Sequence, residues 1–403
     1  MLSLTLQPGV IVKFGGTAPG YGSTLGSAAM IVAGAVHAVG EPGQPVIFTS
    51  LQDDAHGGDS NGNGASSGAA GDWYGIVFQP GSAGQIEHFF VGYAGSGVFN
   101  AALGYGRSQV DVRQAEVVLR SGAVTDGRQK GIYLEGAGLT PVIEHVQVAN
   151  NRASNATGYA VYQSTINMQP DYANLTFSGN DRNAVVIGAF GETMTQNVTV
   201  GGAAFGVACG YTVCQLSVPA GFTLTVEPGT VWDFGWDGYP RGLAVANGGA
   251  LIAEGTPAQP IIFTSGQETA HYWLGIWAQQ GSTLRLDHCD ISYASDDGNF
   301  GSGGLEINTD DAEVQQLQAS ITTAAHGLYI YSPATAPAFI LPFEQCRGQR
   351  QRTSYGVYLD TSSGSASFAH VGRRATAADN GYSRVYRQLY RRGHRHQAHA
   401  CAT

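Results

Sequence analysis

The residues best placed to do chemistry lie in one loop, residues 51–72, which reads LQDDAHGGDSNGNGASSGAAGD. Within it Asp59, Asn61 and Asn63 put oxygen-bearing side chains at alternate positions, and Gly64 supplies a turn. That is the spacing of a calcium-binding loop, because calcium takes about six to eight hard oxygen ligands and such a segment aims several at one point. The twelfth position, where a glutamate would complete an EF-hand-like loop, is Ala70, so other carboxylates have to close the cage. The expected ligand set is Asp53, Asp59, Asn61, Asn63 and Asp72, with Ca2+ as the expected cofactor. The competing reading is a Gly/Ser/Asn loop whose Asp and Asn side chains only make turns. His56, beside Asp53 and Asp54, is the candidate general base near the metal, with Asp54 the second catalytic candidate, set against a merely solvated loop histidine.

Trp73 and Tyr74 follow this loop, and Trp273 recurs after a shorter one. Packing over the edge of the structure is their first expected role, and stacking against a sugar ring is the second; Tyr272, Trp277 and Trp236 bear on the sugar reading. His88 and His288 occupy matching places in two similar segments, which points to structure rather than catalysis. Asn308, Thr309, Asp310 and Asp311, followed by His326, resemble fragments of the polygalacturonase pattern, but Ala325 precedes the histidine and the basic element of that pattern is absent. Adjacent carboxylates on a strand also point to opposite faces. Arg113, Arg120 and Arg285 match no lyase motif, and no nucleophile elbow, zincin histidine pair or phosphate loop is present.

The elements that position these residues are announced by an internal repeat. LTLQPGVIVKF, GEPGQPVIFTS, DWYGIVF and IEHFFVGYA in residues 4–94 return as LTVEPGTVWDF, GTPAQPIIFTS, YWLGIWA and LDHCDISYA in residues 224–294. Phe14 thereby matches Phe234, Phe48 matches Phe263, Trp73 matches Trp273 and Tyr93 matches Tyr293. The copies share their apolar segments and differ in loops, which is the signature of a stacked repeat architecture. A shorter rhythm aligns His145, Val146, Val148 and Asn151 with Asn174, Leu175, Phe177 and Asn180. Gly131-Ile-Tyr-Leu, Gly304-Leu-Glu-Ile, Gly327-Leu-Tyr-Ile and Gly356-Val-Tyr-Leu form another recurring unit.

Composition agrees with strands. Only 12% of residues are charged, 58 are glycine, and Lys13 and Lys130 are the sole lysines, which disfavours long helices. No apolar run is long enough to span a bilayer. Residues 1–345 hold 10 basic against 28 acidic side chains, a net of −18, which argues against a nucleic-acid partner. With one coil per about 25 residues, residues 1–345 predict on the order of fourteen coils stacked at about 4.8 Å.

These segments, PGVIVKF, GQPVIFTS, DWYGI and IEHFFVGYAG, resemble the right-handed parallel β-helix repeat proteins of bacterial cell surfaces and secretions, distant relatives of the pectate-lyase-like superfamily. The resemblance implies an all-β, right-handed parallel β-helix (a solenoid) with an internal duplication, exported in its native setting. Expected divisions are residues 1–215, 216–345 and 346–403. The last segment turns Arg- and His-rich and is read as a non-native continuation, with a basic tail as the alternative. The start within a strand pattern is read as a removed export signal or a cut from a longer chain. Cys209 and Cys214 either close a small disulfide or remain buried thiols, while Cys289, Cys346 and Cys401 look isolated.

For function, three readings stand: a calcium-binding protein acting on an extracellular polysaccharide, a calcium-dependent hydrolase of a small ester, amide or lactone, and a non-catalytic surface or adhesion module.

Overall fold

A computed structural model describes residues 2–15, 28–96, 108–154, 157–188, 192–201, 204–208, 214–234, 241–265, 273–294, 303–309, 311–320, 326–331, 339–340 and 357–360. Among these residues there is no α-helix, and every pairing between named strands is parallel. No helix is long and apolar enough to cross a membrane. Contacts divide the chain into one unit of residues 1–188 with 202–204, and a second of 189–201 with 205–403.

In the first unit, strands Ser3–Leu6, Ala35–Val39, Ala83–Gly92, Glu116–Thr125 and Val142–Ala149 pair in succession, and Val46–Ser50 joins the far half of Ala83–Gly92. A further wall runs through Ala29–Val32, Gly75–Phe78, Ser108–Arg113, Lys130–Glu135, Tyr159–Gln163 and Arg182–Gly188. Each strand pairs with its counterpart one coil on, so backbone N–H and C=O groups are satisfied between coils. The second unit repeats the scheme through Thr223–Val226, Ala250–Glu254, Thr283–Ser292 and Asp311–Ser320, with a wall of Cys214–Val218, Arg241–Val245, Trp273–Ala278, Gly303–Ile307, His326–Tyr331 and Val357–Asp360. The chain is an all-β, right-handed parallel β-helix with an internal duplication.

Alternation decides which side chains face inward. Leu224, Leu251 and Leu284 are register partners on consecutive coils and are fully buried, whereas their neighbours Thr223, Ala250 and Thr283 are partly exposed. Corners are built from left-handed residues. His88, Ser121, His145 and Asn174 all have φ between 44° and 55°, and Tyr93, Asp126 and Asn150 have φ between 55° and 64° at the next corner. His288 and Tyr293 repeat the values of His88 and Tyr93, at 47° and 58°, so the matched histidines are corner residues. Gly75 shows why glycine follows the tryptophan: φ is 137°, and a Cβ there would lie 2.6 Å from the carbonyl oxygens of Ser108 and Gln109.

The repeated aromatic segments build the same packing twice. Trp73 is fully buried, stacks on Phe14 at 4.1 Å and donates Nε1–H to the Gly92 carbonyl at 2.8 Å. Trp273 is fully buried, stacks on Phe234 at 4.8 Å and donates to the Ser292 carbonyl at 2.8 Å. The aligned asparagines meet as their 29-residue spacing requires: Asn180 Oδ1 accepts from both the Asn151 backbone N–H and Asn151 Nδ2 at 2.9 Å. Cys289 is a buried free thiol pushed up to about 12 by desolvation. The Cys209–Cys214 expectation, Cys346, Cys401 and nearly all of the basic tail lie outside the described residues. Val357–Asp360 pairs with His326–Tyr331, so a coil resumes after residue 345.

Candidate functional site

The 51–72 loop leaves the wall after Val46–Ser50 and returns to it at Trp73. Thr49 and Ser50, consecutive wall residues, each hold one of its carboxylates. Ser50 Oγ donates to Asp72 Oδ2 at 2.6 Å, and the Ala69 backbone N–H donates to the same oxygen at 2.9 Å. Thr49 Oγ1 donates to Asp53 Oδ2 at 2.5 Å, and His56 Nδ1 lies 2.6 Å from that oxygen. The Ala55 N–H donates to Asp53 Oδ1 at 3.2 Å. Burial alone would raise the Asp53 carboxyl; the bonds from Thr49 and His56 and the imidazole charge outweigh it and leave the group below its ordinary value.

Of the two carboxylates beside it in the sequence, His56 pairs with Asp53. Asp54 Oδ2 instead accepts from the Ser66 N–H at 2.6 Å and from Ser66 Oγ at 3.1 Å, pinning the far side of the loop. The His56 ring packs against Phe90 at 4.7 Å between centroids.

Asp59 is wrapped by its own segment. Its Oδ1 accepts N–H bonds from Gly62 and Asn63 at 2.7 and 3.2 Å, and its Oδ2 accepts from Gly64 at 3.0 Å. Asn61 Oδ1 accepts from the Asn63 N–H at 3.3 Å, and both asparagine amides donate to Gln52 Oε1. The structure thus separates the five expected metal ligands: Asp59, Asn61 and Asn63 stay together, whereas Asp53 and Asp72 turn to the wall. Among the described residues no group of three or more His, Cys, Asp or Glu is arranged to hold a metal.

The sugar-stacking reading of Trp73, Tyr74 and Trp273 is corrected by their burial, since none offers a ring face to solvent. In the second unit Asp311 is engaged by Thr283 Oγ1 at 2.7 Å and Arg285 Nη2 at 2.5 Å, while Asp310 lies outside the described residues.

A second cluster, on the outward side of the first unit's wall, escaped the reading by motif. Asp111, Tyr133 and Tyr162 are register partners on consecutive coils. The Tyr133 and Tyr162 rings stack in parallel at 5.6 Å, and Tyr159 stacks on Tyr162 at 5.8 Å. Lys130 Nζ sits 5.9 and 5.3 Å from the Tyr133 and Tyr162 centroids, and Arg113 lies 5.9 Å from Tyr133. Arg113 grips Asp111 through two bonds of 2.9 and 2.8 Å, which hold the guanidinium above its ordinary value. Tyr133 donates to Glu135 at 3.1 Å, and burial together with the Glu135 charge pushes its phenol up, so it stays protonated. The signal was in the Gly-x-Tyr-x unit: its tyrosine in residues 131–134 faces Tyr162 one coil later.

Compared with protein-family models, with curated proteins and with solved structures, the chain matches none of them.

Proposed function

We propose that this protein is a secreted or cell-surface β-helix that binds an extracellular polysaccharide along the outward wall of its first unit and takes calcium in the 59–64 segment. The observation that carries the glycan reading is the row of Asp111, Tyr133 and Tyr162, flanked by Lys130, Arg113 and Glu135. A wall that only meets water needs nothing more than small polar residues. This one carries phenols and charges of both signs, mostly half-buried, repeated at about 4.8 Å from coil to coil. The stacked rings stand on edge, so they offer hydroxyls and ring edges rather than a flat face. A chain of sugar hydroxyls, each both donor and acceptor, suits such a row.

The test is calorimetric titration with a panel of soluble polysaccharides. Tyr133→Ala with Tyr162→Ala is expected to weaken the bound glycan about tenfold or more, with circular dichroism unchanged. Binding that survives both substitutions, or no binding across the panel, removes the glycan reading.

For calcium, the chemistry of the donor set fits: Asp59 contributes the carboxylate, and Asn61 and Asn63 add neutral hard oxygens. One carboxylate gives modest affinity. Asp59→Ala is expected to lower calcium affinity at least about tenfold by calorimetry, and an unchanged binding heat would eliminate the loop as the site.

A further inference from the structure

We propose that Asp53 and His56 form a general-base dyad that hydrolyses acyl esters. Asp53 is 1% exposed and fixed by Thr49, Ala55 and His56. A carboxylate on Nδ1 holds the imidazole as the Nδ1–H tautomer and leaves Nε2 as the base. The His56 side chain is 30% exposed, and the ring is braced by Phe90. Nε2 makes no hydrogen bond to the described residues and is open to water.

The internal repeat supplies the second observation. Residues 49–56 read TSLQDDAH and residues 264–271 read TSGQETAH, so Thr, Ser, Gln, an acid, Ala and His recur at identical spacing. The 15-residue insertion of the first copy falls after the histidine. The loops diverge beyond this element and agree within it. Residues 266–272 lie outside the described ones, and the repeat enters as sequence alone.

The arrangement selects the reaction. Among the described residues no serine, threonine or cysteine hydrogen-bonds Nε2, and the proposed nucleophile is water. Glycosidic cleavage requires two cooperating carboxylates about 5–9.5 Å apart, and Asp53 is already committed to the imidazole. In the proposed step Nε2 takes a proton from water as its oxygen bonds to the ester carbonyl carbon. The tetrahedral adduct then breaks its C–O bond to the alcohol, and the departing alkoxide recovers the proton from the imidazolium. The products are an acid and an alcohol. His56 is the catalytic residue, and Asp53 positions it and stabilises its charged form.

This proposal stands apart from the glycan-binding row. The full-length chain is assayed with 4-nitrophenyl acetate. Saturable turnover is expected. His56→Gln should lower it about 100-fold or more. His88→Gln, a corner histidine, should leave it intact. Asp53→Asn should lower kcat with KM unchanged, a split that loss of loop structure alone would not give. Turnover no faster than an equal concentration of free imidazole, or a His56→Gln variant as active as the parent, overturns the proposal.

Discussion

Trp73→Ala is expected to cost about 3–5 kcal/mol, as large-to-small changes at fully buried aromatic positions do, and Trp273→Ala to cost the same within about 1 kcal/mol. Each indole is fully buried, stacked on a phenylalanine from an earlier coil, and donates its only N–H to a backbone carbonyl nineteen residues on. Truncation opens a cavity, removes the stacking partner and leaves a buried carbonyl without its donor. Because the setting is the same in both units, the two variants control for one another. Denaturation in urea followed by circular dichroism reads both, and a cost below about 1 kcal/mol at either site would mean that the indole does not close the coil.

Asn180→Ala carries the second large effect, about 2–5 kcal/mol. Asn180 Oδ1 accepts from both the backbone and the amide of Asn151, while its Nδ2 donates to the Val148 carbonyl at 2.8 Å and to Asn183 Oδ1 at 2.9 Å. Asn151 Oδ1 in turn accepts from Gln109 Nε2 at 2.8 Å, so the ladder runs through several coils, with Gln109, Asn151 and Asn180 all buried. Removing one rung strands buried groups on its neighbours, which costs more than the rung itself contributes. Asn180→Asp keeps the acceptor but loses the donors, and an intermediate loss of melting temperature is expected. A melting temperature unchanged in Asn180→Ala would show that water replaces the rung freely.

The fold was legible because a solenoid writes its register into the chain. The pairing of Val148 with Phe177 and the equivalence of Trp73 with Trp273 follow from spacing alone, since each coil meets only its neighbours. Corner histidines were legible as structural for the same reason. The loop was only half legible. Its polar content announced a site, yet the pairing of His56 with Asp53 rather than Asp54 depends on Thr49 drawing Asp53 into the wall, a contact made in three dimensions. The tryptophans left two roles open, packing first and sugar stacking second, because exposure cannot be read from residue type: the residue that follows a loop can turn inward as readily as outward. The Asp111–Tyr133–Tyr162 row went unnoticed because its members belong to different coils and form no linear motif.

The most direct measurement of the central claim, one parallel coil per repeat in the register described, is pyrene excimer fluorescence between Gln147→Cys and Thr176→Cys after the five native cysteines are replaced. These positions are exposed register partners on consecutive coils, so their labels lie about 5 Å apart and should emit strongly as an excimer. A second pair, Gln147→Cys with Asp171→Cys, is displaced by five residues along the coil, across the corner at His145 and Asn174, and should give much weaker excimer. Monomer emission from the first pair, or equal excimer from both, would contradict the coil register on which the fold and the site stand.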